Sequence, residues 1–512
     1  MFKGTLWPYQ QEAVERMVDR GQMLLGMVMG AGKTPTTLGA IESLHEEGEV
    51  ERCLVVVPAS LKFQWLREIA KFTDAKATVI DGTKAKRDGQ WRMSLNSRYV
   101  IVNAETLAND VDKIGTIQAV VIDESTMIKN RTAKRSKLLK KVGRTVPYRF
   151  ALTGQPIENR PEELFSIMEF VDKQVLGDFK TFDRTFIVRD TWGKPMRYRN
   201  LDKMHRVMKE CMIRKTRDDI KDQLPDIIHQ VVPVPFDNRG ATLYRQISND
   251  LLAKISEAMG KGKGAFSLWA HYNGGDGDEA QGQIMSRLTV LRMLCDNPEL
   301  VRISAQKYAD PNVKDGSQYA HDIAHMGWVS GVDTTPKLDA CIAYIESTLS
   351  EDPQNKVVLF SFFKENLRLI QKATSNMTDS VLFMGGMDAA ARDASKQKFA
   401  TDPNCRLFLS SDAGGYGVDL PMANYLISYD LPWSSGKLEQ REARIIRLSS
   451  EFPHVTIATF VMQGSIEERQ YEMLQVKRSV NEAFIDGKHH DNDGSMDLSL
   501  DTLSGFLRES RV

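Results

Sequence analysis

Cysteine is scarce in this chain. Cys53, Cys211, Cys295, Cys341 and Cys405 are the only five in 512 residues, far apart and with no Cys-x-x-Cys pair. That spacing argues against a zinc module or a disulfide scaffold and fits a reducing compartment. Neither charge is in excess, since Lys+Arg and Asp+Glu stand at 68 each. Any nucleic-acid surface must therefore come from local clustering rather than from a global basic field. No run approaches the roughly 18 apolar residues of a membrane span. Met1–Gln10 contains no apolar signal core, tandem repeats at solenoid periods are absent, and no Gly-x-Ser-x-Gly nucleophile elbow occurs.

What is present is an ordinary globular composition, 42% apolar and 27% charged, at a length suited to two to four domains. Short β-branched runs alternate with helical stretches in two regions. The first has Cys53–Val57, Tyr99–Val102, Ala119–Ile122 and Tyr148–Leu152 as strands, with helices such as 61–72 and 132–142 between them. The second has Lys356–Ser361, Leu407–Ser410, Tyr425–Ser428 and Val455–Phe460, with helices at 364–375, 388–400, 437–447 and 465–485. Near-continuous apolar runs fit strands buried on both faces of a parallel sheet, so the pattern predicts doubly wound α/β architecture. A first lobe over 1–230 would carry a helical protrusion at about 160–220, and a helical insertion would fill 231–335. A second lobe would span 336–486, and 487–512 would be a polar tail whose Leu498–Leu507 docks back as a helix. The Gly- and Asp-rich stretch Asn273–Gly282 reads as a mobile loop.

Met29-Gly30-Ala31-Gly32-Lys33-Thr34 is the most informative stretch. It follows an apolar run, Met23–Val28, and opens a helical one, Thr34–Glu47. Glycines there let the backbone turn its N–H groups toward phosphate oxygens, and the helix N-terminus adds a favourable dipole. Lys33 would supply charge to the β- and γ-phosphates, and the Thr34 hydroxyl would ligate Mg²⁺. Met27 stands where the usual G-x4-G-K-[ST] pattern has its first glycine. A Gly-rich strand–helix turn with an incidental Lys-Thr is the plain alternative. Val120-Val121-Ile122-Asp123-Glu124 places two carboxylates just after a buried strand, where ligands of open parallel sheets bind. Asp123 can hold Mg²⁺ and Glu124 can orient and deprotonate an attacking water. Together the two motifs favour NTP hydrolysis.

The motifs around them come in a specific order. Leu6-Trp7-Pro8-Tyr9-Gln10 precedes the phosphate loop, and Leu54–Pro58 with Ser60-Leu61-Lys62-Phe63-Gln64-Trp65 follows it. Asp123–Thr126 runs on through Lys129-Asn130-Arg131, and Leu152-Thr153-Gly154-Gln155-Pro156 comes next. Met212–Thr216, Leu291–Pro298 and Pro336-Lys337-Leu338 lead to Ser410–Leu420, Tyr429–Trp433 and Gln440-Arg441-Glu442-Ala443-Arg444-Ile445-Ile446-Arg447. This series resembles the Swi/Snf-type ATPases of helicase superfamily two, over about residues 5–485.

The resemblance implies two RecA-like lobes that sandwich ATP and couple its hydrolysis to movement along double-stranded DNA. By matching motifs, Gln10 would read the adenine, while Gly30, Gly32, Lys33 and Thr34 would hold phosphates and Mg²⁺. Asp123 and Glu124 would keep their metal and water roles. Arg444 and Arg447 match the arginines of the last motif, and at least one would act as an arginine finger. Thr153 and Gly154 would link nucleotide state to DNA-facing loops, with Thr126, Gln155 and Gln440 in the same coupling set. Gly417 and Asp419 would contribute to nucleotide and DNA contacts. Ser60, Lys62, Ser411 and Trp433 sit in motifs that face DNA in the family.

Three positions depart from the family pattern. Thr126 replaces a His, Gln155 replaces a Thr, and Ile446 stands where a His is usual. A paired exchange would let Thr126 and Gln155 keep one hydrogen bond between their motifs; the alternative is weaker coupling with catalysis intact.

Lys129 to Arg149 holds nine basic residues and no acid, among them Lys129 and Arg131. Such a run reads either as a phosphate-tracking surface or as a solvated helix face. Trp7 and Trp65 lie in apolar helical settings and read as core packing. Cys211 and Cys295 read as core, and His489-His490 with Asp491 and Asp493 as a chance pair near a polar end.

The expectation is an ATP- and Mg²⁺-dependent double-stranded DNA translocase or remodeller. Its partners would be duplex DNA, DNA-bound proteins or a recruiting protein, with no membrane. It would be cytoplasmic in a bacterial or phage-infected cell, or nuclear in a eukaryote. A strand-separating or fork-remodelling helicase is the nearest rival. An ATP-gated DNA clamp or protein-displacing factor is a rival of another class.

Overall fold

The structure, a computed structural model, describes residues 1–157, 161–189, 195–260, 279–313, 315–412, 418–486 and 500–509. Gly417, residues 273–278 of the Gly- and Asp-rich stretch and the His489-His490 pair lie outside the described residues. The chain divides into two compact units. One is Met1–Leu224 with Ile446–Leu448 and the described residues from Lys477; the other is Pro225–Ile445, Ser449–Val476 and the described residues from Met496.

Apolar runs become parallel strands in both units. In the first unit β1 (Gln22–Met27), β2 (Cys53–Val56), β3 (Ala77–Val79), β4 (Tyr99–Val102), β5 (Ala119–Ile122) and β6 (Tyr148–Leu152) form most of one sheet. A small antiparallel hairpin, β7 (Ile187–Arg189) and β8 (Pro195–Tyr198), precedes the sheet's last strand, β9 (Met212–Lys215). The sheet order is β3-β4-β2-β5-β6-β1-β9, and its neighbouring strands pair in parallel. Alternation along the strands sends Val55, Ile101 and Val121 into one core and Val56, Val102 and Ile122 into the other. Each such side chain contributes about 1.5–3 kcal/mol of burial, which is why these runs carry no polar residue.

Strand order fixes the site. Because β5, β6 and β1 are adjacent and parallel, their carboxyl ends open onto the same edge of the sheet. The loops after these strands hold Asp123-Glu124, Thr153-Gly154-Gln155 and Met29–Gly32.

The second unit has β10 (Asp226–Val234), β11 (Val357–Phe360), β12 (Asp379–Phe383), β13 (Cys405–Ser410), β14 (Tyr425–Ser428) and β15 (His454–Met462), in the order β10-β15-β14-β11-β13-β12. Asp226–Val234 pairs with His454–Met462 along its whole length, so residues 226–230, read from sequence as the end of the first lobe, hydrogen-bond in the second sheet. The helices Asn238–Gly260, Glu279–Asp296, Pro298–Ala309 and Gln318–His325 pack in the same unit. Near the end of the chain, helix Leu500–Glu509 inserts Leu503 and Leu507 into this core. The expected helix over 437–447 ends early, running Ser435–Glu442, where Arg444 N and Ile445 N turn to acceptors three residues back, Arg441 O and Glu442 O.

Candidate active site

β1 ends at Met27, and the chain then turns through Val28–Gly32 into the helix Lys33–Glu46. The departure at Met27 has a simple cause. Met27 is the last residue of the strand, fully buried in the core, and needs no glycine. The glycines that matter are Gly30 and Gly32, at φ +85° and +76°, in the left-handed region that disfavours a side chain. A Cβ on Gly32 would collide with Nε2 of Gln10, and one on Gly30 would lie 2.9 Å from the carbonyl oxygen of Ile446.

Lys33 folds back beneath the loop. Its Nζ donates to the carbonyls of Met27 at 3.0 Å and Val28 at 3.3 Å. Burial brings its pKa down to about 8; Asp123 and Glu124 pull it up, and Arg447 and Arg214 push it further down. Thr34 follows in the first helical turn, half-buried, and Pro35 occupies a position where its missing N–H is harmless.

Gln10 is nearly fully buried in the helix Pro8–Arg20. Its Nε2 donates to Ala31 O at 3.0 Å, and its Oε1 accepts from Trp7 N at 2.9 Å. The Tyr9 hydroxyl donates to the same Ala31 carbonyl at 3.0 Å. Two side chains therefore brace the phosphate loop from below, and Gln10 Nε2 also reaches the Tyr9 hydroxyl at 3.5 Å.

Beyond β5, Asp123 Oδ2 accepts from the indole Nε1 of Trp65 at 2.7 Å, and Oδ1 accepts from Glu124 N at 2.9 Å. Burial raises the Asp123 pKa, with Trp65 and Lys33 opposing. Glu124 sits at φ +54°, ψ +61°, one of two non-glycine residues with positive φ among those described. Strain of this kind, of order 1–3 kcal/mol, persists where surrounding structure enforces it and is enriched at functional sites. Thr126 Oγ1 donates to Glu124 Oε1 at 2.9 Å. That hydroxyl therefore goes to the neighbouring carboxylate, and the expected Thr126–Gln155 hydrogen bond is absent among the described residues. After β6, Thr153 N donates to Leu25 O at 3.0 Å, and its hydroxyl closes on the Gln155 backbone at 3.1 Å. A Cβ on Gly154 would come within 2.7 Å of Met29 Cγ.

Two residues were quoted in the motifs but given no part in the site. Trp65 was read only as core, and its helix Lys62–Phe72 brings its indole nitrogen to Asp123. Arg214, in β9, donates to Gly26 O at 2.8 Å and Gly154 O at 3.2 Å, tying the phosphate-loop strand to the Thr153–Gln155 turn. A buried Trp needs an acceptor for its N–H, and that requirement was the available signal.

Among the last-motif arginines, Arg447 lies in the segment Ile446–Leu448 that clusters with the first unit, whereas Arg444 belongs to the second. Arg444 is mostly buried, with Nη1 3.4 Å from Val418 O. Gln440 and Asp419 are half-buried in the second unit. Their neighbour Arg441 is fully buried and forks onto Asp412, at 2.6 and 3.0 Å, and onto Asp430.

The residues expected to face DNA differ in exposure. Ser60 is exposed. Lys62 is 3% exposed, bonded to Asp81, Ile80 O and Asn103, because it shares the buried face of its helix with Trp65 and Ile69. Ser411 is buried and accepts from Gly385 N at 3.2 Å. Trp433 is 7% exposed, with the Arg292 guanidinium 5.6 Å from its ring centre. These three side chains are thus withdrawn from solvent. Lys129 lies 4.0 Å from Glu163, and Arg131 lies 3.9 Å from Glu169 and 4.5 Å over the Phe179 ring. Trp7, read as core, is 47% exposed. Cys211 and Cys295 are buried, as read.

Comparison with known proteins follows the same division. The family model described as the SNF2-related domain matches residues 9–300, and that of the helicase conserved C-terminal domain matches 336–449. YwqA of Bacillus subtilis, whose name describes an ATP-dependent helicase/translocase, is 23% identical over 501 residues, covering 95% of this chain and 50% of that protein. The DNA repair and recombination protein RAD54-like of Gallus gallus is 25% identical over 94% of this chain and 68% of its own length. The chain thus spans half of YwqA and about two thirds of the RAD54-like protein. The Hef helicase domain of Pyrococcus furiosus shares the fold, with TM-score 0.55 at 12% identity, over 91% of this chain and 97% of that one. No described helix is long and apolar enough to cross a membrane.

Proposed function

The chain belongs to the SNF2-related domain family, and from that membership we propose that it is a DNA-dependent ATPase that couples ATP hydrolysis to movement along duplex DNA. The observation that carries the ATPase half is Lys33. Its ammonium rests 3.0 Å from the Met27 carbonyl, beneath a loop with two left-handed glycines, and Asp123 and Glu124 dominate its electrostatic surroundings. A half-buried cation whose charge is felt most by two acids, at a helix N-terminus, suits a nucleoside triphosphate and its metal.

In this reading the N–H groups of the loop and Lys33 hold the β- and γ-phosphates. The hydroxyl of Thr34 and the carboxylate of Asp123 are hard oxygen donors that fit Mg²⁺, an ion content with one or two protein ligands beside phosphates. Bound there, the ion would neutralise phosphate charge. Glu124 orients a water against the γ-phosphorus and accepts its proton as the P–O bond to ADP breaks. Arg447, and Arg444 in the second unit, are the candidates for stabilising charge on the transferring group, an effect worth about 10³-fold or more. Gln10 braces the loop and, by its family motif, borders the adenine. Gly417 and Asp419 belong to the same proposed set. The Thr153–Gln155 turn, with Thr126 and Gln440, would pass nucleotide state to the DNA-bearing loops. Met29 against Gly154 is the contact best placed to start that relay.

Duplex DNA as the track rests on family membership and on relatives named for DNA repair and recombination. ATPase rate with no nucleic acid, single-stranded DNA, duplex DNA and RNA, beside Glu124→Gln, tests the proposal. Stimulation by the duplex, lost in the variant, supports it. Stimulation by single strands or RNA alone moves the chain to the strand-separating reading. Displacement of a triplex strand without duplex unwinding separates translocation from both unwinding and an ATP-gated clamp.

A further inference from the structure

The nine basic residues between Lys129 and Arg149 fall into two groups once folded. Five make contacts inside the first unit. Lys129 lies near Glu163, Arg131 near Glu169 and over Phe179, and Arg135 pairs with Glu105 at 3.2 Å. Lys140 is buried against Ser166 and Glu169, and Arg149 donates to the carbonyls of Val171, Gly143 and Val146. The other four, Lys134, Lys137, Lys141 and Arg144, are exposed and pair with no acid among the described residues.

These four belong to one feature. They lie along the helix Lys134–Gly143 and its C-cap Arg144, at spacings of three, four and three residues. At 100° per residue they occupy an arc of about 80°, and at 1.5 Å per residue a line of about 15 Å. The opposite face holds Ser136, Leu139 and Gly143, all buried.

The stripe does not help its own helix. Like charges at i,i+3 and i,i+4 repel across one turn and weaken a helix, and this line contains three such pairs. Lys134 and Arg135 stand in the first turn, where the helix dipole disfavours cations, with no acid in that turn and no side-chain N-cap. Only Lys141 and Arg144, near the C-terminus, sit where the dipole welcomes them. A line of cations that repel one another, and are not neutralised from within, suits an external line of negative charge.

We propose that Lys134, Lys137, Lys141 and Arg144 form a docking rail for the sugar-phosphate backbone of duplex DNA. Successive phosphates of one strand rise about 3.4 Å along the axis as the strand winds, so a line of about 15 Å is long enough to reach several phosphates. The contacts would be independent of sequence and would fix register and orientation on the duplex. The rail rests on the DNA-dependent reading given above, and it names residues which that reading leaves unassigned.

The test compares the wild-type chain with a variant carrying K134Q, K137Q, K141Q and R144Q. Glutamine keeps helix propensity and lies away from the nucleotide residues, so ATPase without DNA should be unchanged. Unfolding temperature should be equal or slightly higher, since repulsion is removed. Binding to a duplex of random sequence is measured by fluorescence anisotropy from 50 to 200 mM salt. Each lost phosphate contact makes the slope of log K against log salt shallower by about 0.9, so the rail predicts a change of about two to four. Half-maximal stimulation of ATPase should then need at least tenfold more DNA. An unchanged slope and affinity in a folded variant overturns the rail while leaving the DNA reading standing. A shift seen with RNA but not with duplex DNA overturns it as well. If the wild-type chain neither binds duplex DNA nor is stimulated by it, the underlying reading fails, which is a separate result.

Discussion

The indole of Trp65 donates to Oδ2 of Asp123 at 2.7 Å, joining the helix after the second strand to the acid after the fifth. Together with Glu124 N on Oδ1, it fixes the carboxylate plane at both oxygens. Trp65→Phe keeps the packing and deletes the donor. A hydrogen bond to a charged group is worth about 1.5–3 kcal/mol, so the Mg²⁺ concentration for half-maximal ATPase should rise about tenfold with little change in unfolding temperature. Mn²⁺ binding to the ADP complex, followed by electron paramagnetic resonance, should weaken in parallel.

Gly32→Ala meets two obstacles, a φ of +76° and the side chain of Gln10. Left-handed backbone costs a non-glycine residue about 1–2 kcal/mol. The affinity for ADP should fall at least tenfold. Gln10→Ala removes the clash but not the backbone strain, so in a Gln10→Ala background Gly32→Ala should cost less ADP affinity than it does in wild type, but still a measurable amount. No cost in that background would show that φ contributes nothing.

Thr126 and Gln155 are the two unusual residues of their motifs, and their exchange suggested a mutual hydrogen bond. The structure gives the Thr126 hydroxyl to Glu124 Oε1 at 2.9 Å instead. Thr126→Val and Gln155→Ala should therefore combine additively in ATPase rate, within about 0.5 kcal/mol. Thr126→Val combined with Glu124→Ala should be strongly non-additive, because truncating Glu124 removes the oxygen to which Thr126 donates.

The contrast shows what was legible in advance. Loops at strand ends were readable because glycine, lysine and acids have few other reasons to follow a buried strand. The Met27 departure was readable as a mismatch but not as harmless, since that required knowing where β1 ends. Side-chain direction was the weaker part. Lys62 and Trp65 lie three residues apart on one helix, and the periodicity that marks Trp65 as buried marks Lys62 as well. The family motif said solvent, and the helix geometry said interior. Asp226–Val234 was missed as a strand because its burial alternates poorly at a sheet edge and Pro233 interrupts its donors. Arg214 escapes a sequence reading because the acceptors that tie it to the site, Gly26 O and Gly154 O, are backbone carbonyls, which no side-chain pattern announces.

Asp110 offers a test in acid. Its carboxylate is held down to about 2, chiefly by the Arg87 hydrogen bond, with Trp91 and Lys113 assisting against burial. A depressed carboxylate contributes stability that is complete above its ordinary range and is lost as pH falls toward about 2. Asp110→Asn should cost about 2 kcal/mol at pH 7, the worth of its charged hydrogen bonds. Between pH 4 and 2 the variant should lose less stability than wild type, a difference read from urea midpoints.

Lys337 is the most deeply buried cation of the second unit, 2.9 Å from Asp296 and 2.7 Å from Glu467, with the Tyr429 ring 4.9 Å away. It joins three helices: the end of Glu279–Asp296, the start of Pro336–Glu351 and the start of Ile466–Asp486. Burial alone would strip its proton, but the two carboxylates outweigh that and push its pKa upward. Burial pushes Asp296 upward too, and among the described residues its Oδ2 has no hydrogen-bond partner. Removing one member of such a group leaves an uncompensated charge, a loss of about 3–5 kcal/mol. Lys337→Met should therefore unfold the second unit early, detected by calorimetry as a separated transition. The triple change Lys337→Met, Asp296→Asn, Glu467→Gln removes all three charges and should recover most of that loss. If the triple variant is as unstable as the single one, packing around Lys337 rather than its charge holds the helices together.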